Sequence, residues 1–240
     1  MRALVLTGVR ALVMLMVFGQ MAEAKSCRLA LVLALDVSGS VDPTEYAQQV
    51  TGLAAALDHP DIRALILNDT SAPVSLAVYE WSSRNHQYLI QPWIDLEGPA
   101  ALDAAIARIQ AHRKVRAGLK TALGTSLLYA RSLFQQRSHC WVKTIDVSGD
   151  GANNIGVTPA QVYASGAFDQ ITVNALVIGD PDAAGPSPEK SDLLAYFETQ
   201  VIHGAGSFAM VAQGYEDYAN AMQRKLMREL QLPVMGRVEF

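Results

Sequence analysis

The chain is 240 residues long, half of them hydrophobic, and carries 19 Lys plus Arg against 23 Asp plus Glu for a formal net charge of −4. That length and apolar content suffice for one sizeable core, so a single domain is expected. The slight acidic excess gives no general electrostatic attraction to nucleic acid or to an anionic membrane surface.

The chain opens Met1-Arg2, continues through a mostly apolar stretch from Ala3 to Phe18 interrupted by Arg10, and reaches Met21-Ala22-Glu23-Ala24. A basic start, a hydrophobic middle and an Ala-x-Ala site read as a secretory signal peptide over residues 1–24, leaving one domain over 25–240 that is secreted or periplasmic. An uncleaved membrane anchor is the competing reading. No later segment approaches the roughly 18 uninterrupted apolar residues of a membrane span, so no insertion is expected after cleavage.

Short, nearly continuous apolar runs follow at Leu29–Leu35, Val74–Trp81, Trp141–Val147, Ile171–Ile178 and Ser207–Ala212. Apolarity without alternation suits strands buried on both faces, hence a largely parallel sheet. Helical spacing appears over Pro43–Leu57, where Asp42 is an N-cap before a first-turn proline, and over Pro99–Ala111, Thr121–Phe134, Pro159–Phe168, Glu189–Val201 and Tyr215–Leu230. His86–Ile94 comes so soon after the second run, and ends so near Pro92, that it reads as an antiparallel edge strand made by a hairpin through Ser82–Asn85. Gly179–Pro188 reads as a loop. The alternation predicts an α/β fold, a doubly wound three-layer sandwich.

Two cysteines, Cys27 and Cys140, each stand just before a predicted strand. If those strands are parallel neighbours, the sulfurs meet at one edge of the sheet, and an oxidising compartment permits a disulfide. Two free buried thiols are the alternative.

The chemistry gathers at strand ends. Asp36-Val37-Ser38-Gly39-Ser40 follows the first strand, where open α/β sheets bind ligands, and its carboxylate and hydroxyls are hard oxygen donors suited to Mg²⁺, Ca²⁺ or Mn²⁺. A second oxygen cluster, Asp146-Val147-Ser148-Gly149-Asp150-Gly151, closes the fourth predicted strand, with glycines on both sides of Asp150 to allow a sharp turn. Between them, Thr121-Ala122-Leu123-Gly124-Thr125-Ser126-Leu127 opens a helix, and Thr121 is either its N-cap or a hydroxyl facing the site.

Asp-x-Ser-x-Ser, Thr-x-x-Gly-x-x-Leu and Asp-Gly, in that order over residues 27–231, resemble the von Willebrand factor A (vWA) domain, and within it an uncharacterised secreted bacterial branch with the phrase Ile145-Asp146-Val147-Ser148-Gly149-Asp150-Gly151. The resemblance implies a Rossmann-like sheet with a metal-ion-dependent adhesion site (MIDAS). Ser38, Ser40 and Thr121 would then meet the ion directly, and Asp36 and Asp150 mainly through waters. With few direct anionic ligands the ion stays positive toward solvent, so an exposed carboxylate on a protein or peptide partner could complete its coordination. This chain departs from the family in having Ser126 where Ala is usual, and Thr125 rivals Thr121 as ligand. Asp180 falls on the same rim, where a solvated loop carboxylate is the simpler reading.

Plainer readings cover the remainder. Gly204-Ala205-Gly206-Ser207-Phe208-Ala209 precedes a strand rather than following one, so it is a loop and not a dinucleotide fingerprint. Asn68-Asp69-Thr70 fits a glycosylation acceptor pattern, whose relevance depends on compartment and host. His59, His86, His112, His139 and His203 show no ligand spacing and read as surface or edge residues, while Trp81, Trp93 and Trp141 read as core or sheet cover. A serine hydrolase elbow is lacking at Val147-Ser148-Gly149. The enzyme alternative is a metal-dependent phosphate hydrolase with Asp36 as nucleophile, and a further alternative is a structural domain stiffened by its ion.

Overall fold

A computed structural model of the protein describes residues 26–115, 117–179 and 191–231; the expected signal peptide, Asp180 and most of the expected Gly179–Pro188 loop lie outside them. The elements are β1 (Leu29–Asp36), α1 (Pro43–Asp58), α2 (Pro60–Leu67), β2 (Val74–Trp81), β3 (Gln87–Asp95), α3 (Pro99–Ala111), α4 (Leu123–Leu133), β4 (Val142–Gly149), α5 (Pro159–Tyr163), β5 (Thr172–Ile178), α6 (Ser191–Tyr196), β6 (Ala209–Ala212) and α7 (Tyr218–Gln231). They form one six-stranded sheet in the order β3-β2-β1-β4-β5-β6, parallel except for the antiparallel β2–β3 pair. The parallel sheet with its antiparallel edge strand and helices on both faces is the vWA-type sandwich expected. Strand order reverses between β1 and β4, which opens a crevice at their carboxyl ends.

β1 and β2 are buried at every position, the reason their sequences do not alternate. Odd residues of β1, Leu31, Leu33 and Leu35, face a layer that includes α1, α3 and α7. Even residues Ala30, Val32 and Ala34 face the layer holding α4 and α5. Asp42 caps α1 through a capping box with Glu45, as its sequence predicts. Helix α2 was not anticipated. A single residue separates it from α1: His59, its N-cap, whose Nδ1 accepts from Asp61 N–H. Its end is satisfied by Arg28, whose guanidinium donates to the Leu65, Ile66, Asp69 and Ala72 carbonyls.

Several predicted helices are shorter than their apolar spacing suggested. α5 stops at Tyr163, before a turn in which Gly166 takes a positive φ, and α4 begins at Leu123 rather than Thr121. Trp81 is buried, but Trp141 is 54% exposed. The Gly204–Ala209 segment is a loop before β6, with Gly204 and Gly206 at positive φ. Cys27 and Cys140 are joined by a disulfide, with Trp141 N–H donating to the Cys27 carbonyl beside it. They sit at the entry ends of adjacent β1 and β4, opposite the crevice.

Under the sheet lies a buried polar cluster. Lys225 of α7 lies 2.6 Å from Asp146 and 2.7 Å from Glu229, and Asn174 of β5 bridges Glu229 to Phe208 N–H. The contact to Asp146 is an ion pair by distance but not an aligned hydrogen bond, because neither Asp146 oxygen has a hydrogen-bond partner. Burial and the Glu229 carboxylate push the Asp146 carboxyl well above its usual range, against the pull of Lys225. Asp146 therefore belongs to the packing of α7 and not to the oxygen cluster at the crevice. Among the described residues no helix is long and apolar enough to cross a membrane.

Candidate metal centre

The crevice gathers the predicted donors from three separate stretches of chain. Asp36 ends β1, Ser38 and Ser40 follow in the next turn, Asp150 follows β4, and Thr121 lies two residues before α4. Ser38 Oγ is 3.4 Å from Ser40 Oγ; Ser40 Oγ donates to Asp150 Oδ1 at 2.8 Å; Thr121 Oγ1 donates to Ser38 Oγ at 3.3 Å. Asp36 Oδ1 accepts from Ser38 N–H at 2.8 Å. The five residues lie at the same end of the sheet, linked in one chain of contacts that runs through Ser38 and Ser40.

Asp36 is fully buried, and its Oδ2 has no hydrogen-bond partner. Burial above all, and then the charge of Asp150, push its carboxyl up to about 7, while the Ser38 N–H and the Lys114 ammonium pull the other way. A buried carboxylate with one unpartnered oxygen, next to three hydroxyls and a second carboxylate, is a donor set that fits a hard divalent cation. Softer ligation has no counterpart here. Among the described residues the one close grouping of His, Cys, Asp and Glu donors is Cys27, His139 and Cys140, and its sulfurs are already in the disulfide.

Sequence reading left open whether Thr121 caps its helix. Here Ala122 is the N-cap and makes no side-chain bond, so the Thr121 hydroxyl is free to face Ser38. Its rival Thr125 packs against Gly156 on another flank. The unusual Ser126 is explained below the site: its hydroxyl shares a buried hydrogen bond with Tyr79 and does not face the donors. Ser148 likewise bonds Tyr218 in the interior.

The glycines act by proximity, not by turning. Neither Gly149 nor Gly151 has a positive φ, contrary to the expected sharp turn at Asp150. A Cβ at Gly149 would stand 3.4 Å from Asp36 Oδ2, and one at Gly124 would strike the Val157 carbonyl at 2.2 Å. Gly124 thus lets α4 close down on the loop after β4.

That loop supplies supports the sequence did not flag. Asn154 accepts from Thr121 N–H through Oδ1, and Asn153 accepts from Gly124 N–H. Tyr215 donates to Asp150 Oδ2 at 3.4 Å, and Gln49 of α1 donates to the Asp36 carbonyl. The pair Asn153-Asn154, directly after Asp150-Gly151, was the available signal.

A second support holds the segment between α3 and α4. Glu80 of β2, wholly buried, accepts from the Tyr46 hydroxyl, the Val115 N–H and the imidazoles of His86 and His112. A carboxylate only accepts, so each imidazole must carry its proton on Nε2. These two histidines, read from sequence as surface or edge residues, are partly buried and clasp the start of the β3 edge strand and the segment after α3 onto one carboxylate. Lys114 then donates to the Val41 carbonyl, just beyond Ser40. Glu80→Ala removes the common acceptor and is expected to cost roughly 3 kcal/mol in urea unfolding. It should also weaken divalent-ion affinity, since Thr121 lies at the end of the released segment; unfolding at wild-type urea concentrations would refute the assignment.

A protein-family model described as "Protein of unknown function (DUF1194)" matches residues 26–234. Among curated proteins, none matches the chain in sequence. Its fold is similar to proximal thread matrix protein 1 from the mussel byssus in a form with a zinc-occupied MIDAS motif, at TM-score 0.58 and 15% identity over 85% of this chain and 46% of that one. It is also similar to a von Willebrand factor type A protein from Catenulispora acidiphila, at TM-score 0.55 and 16% identity over 85% of this chain and 43% of that one. A third likeness is to the conserved hypothetical protein BatB from Bacteroides thetaiotaomicron, at TM-score 0.52 and 14% identity over 84% of this chain and 99% of that one. The chain spans less than half the length of the byssus and Catenulispora proteins.

Proposed function

The chain belongs to the family described as protein of unknown function (DUF1194), and from that premise, its vWA-type fold and its crevice, we propose that it is an exported binding module that captures a protein partner through a divalent cation. The observation that carries this reading is the convergence of Asp36, Ser38, Ser40, Thr121 and Asp150 at the switch point, with Asp36 Oδ2 buried and unpartnered. Ser38, Ser40 and Thr121 would hold the ion directly; Asp36 and Asp150 would act from behind, through waters and through the hydroxyls they already engage. When bound, a divalent cation here supplies an electrophilic point that an acidic side chain of the partner can complete. Mg²⁺ is the first choice, with Ca²⁺ and Mn²⁺ as alternatives; the zinc-occupied motif of the byssus protein supports a divalent ion in general.

A protein partner, as opposed to an ion that only stiffens the loops, is supported by the rim. Leu119, in the segment leading to Thr121, is 81% exposed and lies against Gly39 between Ser38 and Ser40. That side chain would give such a partner an apolar contact next to the ion. The Asp36 nucleophile of the hydrolase alternative gains no such support, because that carboxylate is fully buried. The disulfide and the leader-like start support an oxidising compartment outside the cytosol.

The test is capture from the native cell envelope on immobilised protein. Binding should appear with Mg²⁺, elute with a chelator, vanish with Ser38→Ala, and fail when the extract's carboxylates have been amidated. Retention that survives both chelation and Ser38→Ala would overturn the proposal.

A further inference from the structure

Beside the oxygen cluster, over the ends of β5 and β6, lies a cleft of about 570 Å³ that Ser40 and Asp150 help to line. Its remaining wall combines five aliphatic side chains, Val177 and Ile178 from the end of β5, Leu193 and Leu194 from α6 and Val211 from β6, with the polar Glu45 and Gln213. Tyr215 joins the two regions, lining the cleft while its hydroxyl reaches Asp150 Oδ2. Val211 is half-buried, lies outside the two core clusters of the domain and lines the cleft.

We propose that this cleft is the specificity pocket of the same site, and that the partner is a peptide segment whose ion-binding carboxylate stands within two residues of an apolar side chain that fills it. The inference rests on the proposed function and adds to it the partner's local sequence chemistry. Two donor residues lie in the pocket wall, so a chain anchored at the ion has its next side chains at the pocket mouth; successive residues of an extended peptide advance about 3.3–3.6 Å each. The volume lies within the roughly 300–1,000 Å³ usual for ligand pockets, ample for an aliphatic or aromatic side chain. Charge narrows the choice. Glu45 also lines the cleft, so a second acidic side chain entering there meets like charge. The pocket therefore selects an acid followed or preceded by an apolar residue over a run of acids.

The experiment is panning of phage-displayed random heptapeptides on the immobilised protein in Mg²⁺, with elution by chelator. Eluted peptides should share one Asp or Glu with a Leu, Ile, Val or Phe within two positions. In a synthetic peptide from that pool, replacing the apolar residue by Gly should weaken binding about ten- to a hundredfold, the worth of burying one such side chain. The same replacement should change binding less than about twofold in a Val211→Asp variant, because the contact is already lost. Thermal stabilisation of that variant by Mg²⁺ as in wild type verifies its fold, and Leu194→Gln serves in its place if it does not fold. Chelator-eluted peptides that share an acid but no apolar neighbour would overturn the pocket and leave the ion site standing. An absence of chelator-eluted peptides would overturn both.

Discussion

Asp36→Asn is expected to abolish stabilisation by Mg²⁺ and, in the same protein, to raise the stability of the ion-free form at pH 8. In wild type, Mg²⁺ at a hundred times its Kd should add about 2.7 kcal/mol by mass action, which for a domain of this size is a Tm rise of about 5–11 °C. The variant should show none of it. The gain without ion has a separate cause. The Asp36 carboxyl is fully buried, one oxygen is unpartnered, and its ionisation is displaced from 3.8 to about 7 by burial and by Asp150. An acid whose folded pKa is raised binds more protons folded than unfolded between those two values. Its contribution to stability is therefore fully present below about pH 4 and lost as pH rises through about 7. Asp146 shifts in the same direction and adds to the trend.

Ion-free wild type should accordingly melt lower at pH 8 than at pH 5, a difference that Asp36→Asn diminishes and Mg²⁺ offsets. Removing the uncompensated charge should return about 1–3 kcal/mol at pH 8. Calorimetric melts of both proteins at the two pH values, with Mg²⁺ and with chelator, decide it. A variant that still melts higher with Mg²⁺ would show that Asp36 is not part of the site, and equal ion-free melts at pH 8 would show that its charge carries no penalty.

Loss of the Cys27–Cys140 bridge is expected to be the largest purely structural effect. The two residues are 113 apart in sequence, so the bridge closes a long loop that includes β1, β2, β3 and α1 through α4. On the chain-entropy account a loop of that order is worth about 4–5 kcal/mol against the unfolded state, or a Tm decrease of about 10–20 °C in the double Cys→Ala variant. The fold itself should persist, because β1 and β4 are paired along their length without it. Ion affinity should change less than about twofold, since the bridge lies at the end of the sheet opposite the crevice. Equal melts of oxidised wild type and the double variant would refute the stabilising role; a large loss of ion affinity would refute the separation of the two ends.

What could be read directly from residue order was the layer pattern and which oxygen-bearing side chains meet at the crevice. Unalternating runs such as Leu29–Leu35 have one low-energy home, a strand covered on both faces, and a strand-helix alternation then leaves few topologies. Asp36, Ser38, Ser40, Thr121 and Asp150 were legible because each sits at a strand or helix boundary, where the backbone presents side chains to the crevice. α2 escaped because its apolar residues directly follow another helix and its cap is a histidine, a residue with weak capping preference.

Tertiary structure decided how similar residues divide among different environments. Asp146 and Asp150 lie four apart in one motif, yet the first meets Lys225 beneath the sheet and the second meets Ser40 at the crevice. Thr121 and Thr125 also lie four apart, and only the first bonds Ser38, because α4 begins two residues beyond it. Glu80, His86 and His112 show no common spacing and still form one clasp. Periodicity along a chain reports which face of an element is apolar, a local property of hydration, and so the sequence by itself determined the layers and the oxygen-bearing residues at the ends of their elements. Which polar group meets which depends on register and on loops closing between distant segments, a long-range property settled only when the whole core packs.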